Sequence, residues 1–68
     1  MATTQNHFGT RLKELRNQRQ LSQADLAKLI GTSAHQVSHM EHGRRRPNYN
    51  LFIRVARALQ VSLGEFDE

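Results

Sequence analysis

The sequence predicts an all-α fold, a compact bundle of five short helices in one domain covering residues 1–68. Three observations predict it. Apolar residues recur at spacings of three and four, which place them on one face of a helix. Strand signals are missing: there is no Val/Ile/Thr-rich alternation and no Asn-Gly or Asp-Gly turn. Ser and Asn residues stand where helices would start, and four Gly and one Pro punctuate the periodic stretches.

Phe8, Leu12 and Leu15 form one face of a first helix from about Asn6 to Gln18, with Asn6 as its cap. A second begins after Ser22. Asp25 stands three residues on, a variant of the capping box, and Leu26, Ala27 and Ile30 make the apolar face. Gly31 marks its end. Ser33 opens a third helix, with Gln36 completing a Ser-x-x-Gln box, Val37 and Met40 as its apolar pair and Gly43 as its stop. The basic loop Arg44-Arg45-Arg46-Pro47 leads to Asn48, the cap of a fourth helix striped by Tyr49, Phe52, Val55, Ala56 and Leu59. Ser62 and Glu65 are spaced as another capping box, expected to open a short fifth helix carrying Leu63 and Phe66.

Composition narrows the function classes. A domain of 68 residues buries only roughly 60% of the surface its unfolded chain exposes, which leaves little room for an internal ligand cavity. Cysteine is absent, which excludes disulfides, thiolate metal sites and a cysteine nucleophile. No apolar run approaches the roughly 20 residues of a membrane span, and Met1-Ala-Thr-Thr-Gln lacks the features of a secretion signal. The chain therefore reads as cytoplasmic. Ten Lys and Arg face six Asp and Glu, a formal net charge of +4. Glu65, Asp67 and Glu68 stand in the last four residues, so residues 1–64 hold all ten basic residues against Glu14, Asp25 and Glu41, a formal +7. A small domain of this charge suits a polyanionic partner, nucleic acid first.

Helices two and three are separated only by Gly31, Thr32 and the cap Ser33, a tight glycine turn with the geometry of a helix-turn-helix spanning about residues 22–42. In that motif the second helix enters the major groove. With Ala34 at 0° and about 100° per residue, Val37 and Met40 put the core near 270°. His42, His35, His39 and Ser38 then fall at about 80°, 100°, 140° and 40°, opposite the core. The outward face is three imidazoles, a hydroxyl and the small Ala34, with no acid. Such a face is a solvated stripe, a metal site or a nucleic-acid contact. His35 and His39, at i and i+4, have the spacing to share a metal, but no third acidic or thiol ligand is near in sequence, so neither a metal nor another cofactor is expected. Imidazole chemistry predicts that binding to a polyanion strengthens toward pH 6.

The stretch Leu21-Ser-Gln-Ala-Asp-Leu-Ala-Lys-Leu-Ile-Gly31, followed by Thr32-Ser-Ala-His-Gln-Val-Ser-His-Met-Glu41-His-Gly43, resembles the Cro/C1-type (XRE-like) helix-turn-helix family of phage repressors and bacterial regulators. Arg46-Pro47 and Val55-Ala-Arg-Ala-Leu59-Gln-Val-Ser-Leu63 extend the likeness over roughly residues 7 to 66. The resemblance implies a lambda-repressor-like bundle that binds double-stranded DNA. It makes Gln23 a phosphate contact, which agrees with its place at a helix N-terminus. It puts Ser33, Ala34, His35, Ser38 and His39 toward the bases. It pairs Glu41 with Arg16 as a structural ion pair. His42, Arg44, Arg45, Arg46, Asn48 and Asn50 are the further phosphate contacts expected beside the third helix. The family's dimer surface around the fifth helix makes Leu63 and Phe66 interface candidates, the alternative being that both serve only the core.

Three positions depart from the family pattern. Gln60 stands where Gly is frequent, and at φ > 0 it would carry about 1 kcal/mol of strain. His39 stands in place of a frequent Lys or Arg, and Ala34 in place of Gln or Arg, which calls the usual base contacts into question and points to an unusual operator or a weaker, dimer-dependent interaction. The expected function is a sequence-specific transcriptional regulator, a repressor acting as a homodimer on a palindromic operator. The alternative is an antitoxin or other protein-interaction module. No arrangement of catalytic groups is apparent, so an enzyme is not expected.

Overall fold

The computed structural model describes residues 7–66. Four α-helices follow one another: α1 (His7–Gln18), α2 (Gln23–Ile30), α3 (Ala34–Glu41) and α4 (Tyr49–Leu59). A 3₁₀ turn, Leu63–Phe66, comes last. Asn6, the expected cap of the first helix, lies outside the described residues. Among these residues no helix is long and apolar enough to cross a membrane.

One core joins all five elements. Leu12, Leu26, Ile30, Val37, Met40, Val55 and Leu59 are almost completely buried, and Leu15, Ala27 and Ala56 nearly so. Each of the larger side chains contributes about 1.5–3 kcal/mol by leaving water. Phe8, Phe52 and Phe66 cluster at one end with ring centroids 5.0–5.7 Å apart, Phe52 edge to face with each of the others and Phe8 tilted by 41° to Phe66. Tyr49 departs from the expected stripe of α4: it occupies the first position of the helix and is exposed.

The helix starts follow side-chain chemistry, with two corrections. Before α2 both halves of the box form: Ser22 Oγ accepts the Asp25 N–H at 2.9 Å, and Asp25 Oδ2 accepts the Ser22 N–H at 3.0 Å. Before α4, Asn48 Oδ1 accepts the Leu51 N–H at 2.8 Å. Before α3 only the serine half is present. Ser33 Oγ accepts the Gln36 N–H at 3.2 Å, but Gln36 Oε1 is buried without a partner. The expected fifth α-helix is a single 3₁₀ turn, and its capping box does not form. Glu65 instead turns to α1, where Arg11 Nη2 donates to its carboxylate at 2.9 Å and Arg11 Nε to its backbone carbonyl at 3.2 Å. Four residues held this way tighten into i to i+3 geometry.

All four helices end alike. A residue in the left-handed region follows the last turn, and the next N–H reaches back five residues: Leu21 to Arg16, Thr32 to Ala27, Arg44 to His39, Val61 to Ala56. Gly31 and Gly43 serve two of these closures, where a missing Cβ makes φ near +78° free of cost. Gln20 (φ 57°) and Gln60 (φ 61°) serve the other two and carry the strain of a side chain there.

The seat of α3 is set by backbone. Gly9 in α1 lies against its end, and a Cβ added there would meet the carbonyl oxygens of Met40, at 2.5 Å, and of Glu41. Only a glycine lets α1 approach α3 this closely.

Candidate nucleic-acid interface

Turning Val37, Met40 and Glu41 into the core leaves the opposite side of α3 open. Ser33 and His35 are exposed, and Ala34, Ser38 and His39 are half-buried. The His35 and His39 rings lie 4.1 Å apart and tilted by 51°. His42 lies one residue past the helix and is exposed. Its Nδ1 is 2.8 Å from the Ser38 carbonyl oxygen. A carbonyl can only accept, so Nδ1 carries the hydrogen and Nε2 is left for an outside partner. The proton affinity of His39 is below its ordinary value because partial burial disfavours the charged ring, and His35, Arg44, His42 and Arg45 then add repulsion.

Cations follow this face in the loop after α3, and two of them, Arg44 and Arg45, act on His39. Arg44, Arg45 and Arg46 are exposed, and among the described residues none of their guanidinium groups makes a hydrogen bond or ion pair. By contrast Arg11 is paired with Glu14 and Glu65. Asn50 is exposed at the start of α4, and Asn48 spends its side-chain oxygen on the cap.

The ion pair between α1 and α3 is buried. Arg16 Nε donates to Glu41 Oε2 at 2.6 Å and Arg16 Nη2 to Oε1 at 3.2 Å, a two-point grip with side chains 10% and 1% exposed. Arg16 Nη1 also donates to the Leu21 carbonyl at 2.7 Å, tying the corner between α1 and α2. Gln23 is half-buried, and its Nε2 donates to Glu41 Oε1 at 3.0 Å. Sequence reasoning missed this contact, as it missed Gly9 and the Arg11–Glu65 clasp. The dimer candidates divide: Phe66 is buried in the aromatic cluster, whereas Leu63 is exposed.

Two helices at a glycine turn, the second bare on one side and followed by arginines without a partner among the described residues, are now joined by a match of residues 7–68 to the helix-turn-helix domain profile. The chain belongs to the helix-turn-helix domain family. A relative named an uncharacterized transcriptional regulator in the ATPase CF(0) region of Rhodospirillum rubrum is 35% identical over 60 residues. That likeness covers 88% of this helix-turn-helix chain but only 56% of the relative. The crystal structure of the restriction-modification controller protein C.AhdI from Aeromonas hydrophila superposes with a TM-score of 0.86 at 35% identity, covering 91% of this chain and 94% of that one. The P22 c2 repressor, solved in complex with a synthetic operator, superposes with a TM-score of 0.84 at 29% identity, covering 87% and 89%. The four-helix core of this helix-turn-helix domain is therefore that of known regulators, and the 3₁₀ turn replaces the fifth helix expected from sequence.

Proposed function

We propose that this chain is a sequence-specific regulator of transcription, a repressor that binds a palindromic operator as a homodimer. The α3 helix enters the major groove of double-stranded DNA. Ser33, Ala34, His35, Ser38 and His39 face the base edges, and Ala34 suits a thymine methyl. Gln23, His42, Arg44, Arg45, Arg46, Asn48 and Asn50 lie along the phosphates on either side. Half-sites are spaced by about one helical turn, and Leu63 is the exposed apolar contact between protomers. A module this small buries too little DNA for strong specificity alone, which favours pairing.

One observation carries the reading: an acid-free open face on α3 stands next to three arginines that have no partner among the described residues. A solvated surface gains nothing from leaving three such cations together, whereas a polyanion satisfies them at once. The regulators and the operator-bound repressor it resembles support the same conclusion.

Selection from a random DNA pool, followed by salt titration, tests this. The unaltered chain is expected to enrich one motif, with affinity falling steeply in salt as about four to six phosphates are contacted per protomer. His35→Ala should relax the motif, and Arg45→Ala should lower the salt slope by about one. Equal binding to every sequence would defeat the proposal.

A further inference from the structure

The geometry points to Glu41 as a positioning residue for the phosphate contact. Gripped by Arg16, it holds the Gln23 side-chain amide so that its second N–H is presented to DNA. This rests on the proposed role of Gln23.

The Glu41 carboxylate has two oxygens and three donors. Oε2 takes Arg16 Nε at 2.6 Å, and Oε1 takes both Arg16 Nη2 at 3.2 Å and Gln23 Nε2 at 3.0 Å. With about four lone-pair sites, the carboxylate takes the Gln23 amide without giving up either bond to Arg16. A carboxylate accepts only, so the amide nitrogen must face it, and this settles which way the amide is turned. One N–H is spent inward. The other N–H and the amide oxygen have no partner among the described residues. Gln23 is also the first residue of α2, where the N–H groups of Gln23 and Ala24 precede the helical ladder and are likewise unbonded. The acid at this helix end, Asp25, is held on the Ser22 N–H at 3.0 Å.

Three helices meet at this carboxylate: α1 through Arg16, α2 through Gln23 and α3 through Glu41 itself. The pair is nearly sealed from solvent, so its attraction is little screened. The half-buried amide is therefore ordered before DNA arrives. A long flexible side chain that is already fixed loses less freedom on binding. The same contact ties the phosphate-gripping end of α2 to the base-reading helix, so the two act in one register.

The test is a double-mutant cycle on DNA affinity, measured with the full chain and its selected motif at fixed salt, combined with NMR of the side-chain amides. Arg16→Met with Glu41→Leu replaces the buried pair by apolar groups, a change such sites tolerate. Gln23→Ala in the unaltered chain should weaken binding about tenfold or more, the value of a hydrogen bond to a charged group. In the Arg16→Met/Glu41→Leu background the same substitution should cost less than about twofold, because the amide is no longer held. Equal loss in both backgrounds would overturn the proposal. Should that background fail to fold, the unaltered chain decides alone. A Gln23 amide as mobile as that of exposed Gln18 overturns the proposal, and a restricted one supports it. Gln23→Ala without effect in the unaltered chain, where DNA is still bound, removes Gln23 from the interface and the proposal with it. No DNA binding at all is failure of the regulator reading itself.

Discussion

The proton on His39 is pulled in opposite directions by the folded domain and by DNA. Partial burial and the neighbouring His35, Arg44, His42 and Arg45 lower its proton affinity from the ordinary 6.5. As pH falls below that value the unfolded chain takes up the proton first, so acidification costs stability. Phosphates at the same ring would reverse the sign, since they favour the imidazolium. Between pH 7.5 and 6, DNA affinity is therefore expected to rise while the melting temperature falls, and His39→Gln should flatten both trends in parallel titrations. Sequence alone located this ring, because helical periodicity places His39 opposite Val37 and Met40. It could not give the ring's environment, which depends on Arg44 and Arg45 coming near it. Gln36 is a similar case: its spacing from Ser33 matched a capping box, yet its side-chain oxygen is buried without a partner.

The helix ends are where element-scale chemistry departs from the sequence rules. Gly31 and Gly43 were legible as stops because glycine is the residue that left-handed closures prefer. Gln60 was legible only through the family resemblance, and Gln20 not at all, since a glutamine carries no signal for φ > 0. Gln20→Gly and Gln60→Gly should each stabilise the fold by about 0.5 kcal/mol, the relieved strain less the added freedom of the unfolded chain, read as a higher denaturation midpoint. The opposite holds at Gly9. Gly9→Ala improves helix propensity by about 1 kcal/mol, yet it thrusts a methyl group into the carbonyls that end α3. Backbone cannot yield as a side chain can, so a net loss of about 1–3 kcal/mol is expected in the same measurement. A lone glycine inside a helical pattern does not reveal what presses on it. The last element fell short of a helix for a comparable reason: Arg11, 54 residues earlier in the chain, claims the Glu65 carboxylate that a cap would need.

At the scale of the whole molecule, every element gives side chains to the one core, while the open face belongs to α3 and the loop after it. The aromatic cluster of Phe8, Phe52 and Phe66 closes one end of the bundle and leaves Leu63 outside it. Leu63→Glu should therefore leave the melting temperature nearly unchanged while lowering the oligomeric mass in sedimentation and the cooperativity of operator binding. A large drop in melting temperature would instead assign Leu63 to the core. The apolar periodicities made the bundle readable from sequence, and the resemblance supplied most of the site, but contacts that cross three helices had no local signature. The close approach at Gly9 has one more consequence. The platform under α3 is carved from main chain and from the inward residues Val37, Met40 and Glu41, and among the outward positions Ser33, which caps the helix, has a clear part in the architecture. The molecule is thus a socket that accepts interchangeable reading surfaces. Replacing its other outer residues with those of another regulator should transfer that regulator's target preference while the frame beneath stays as it is.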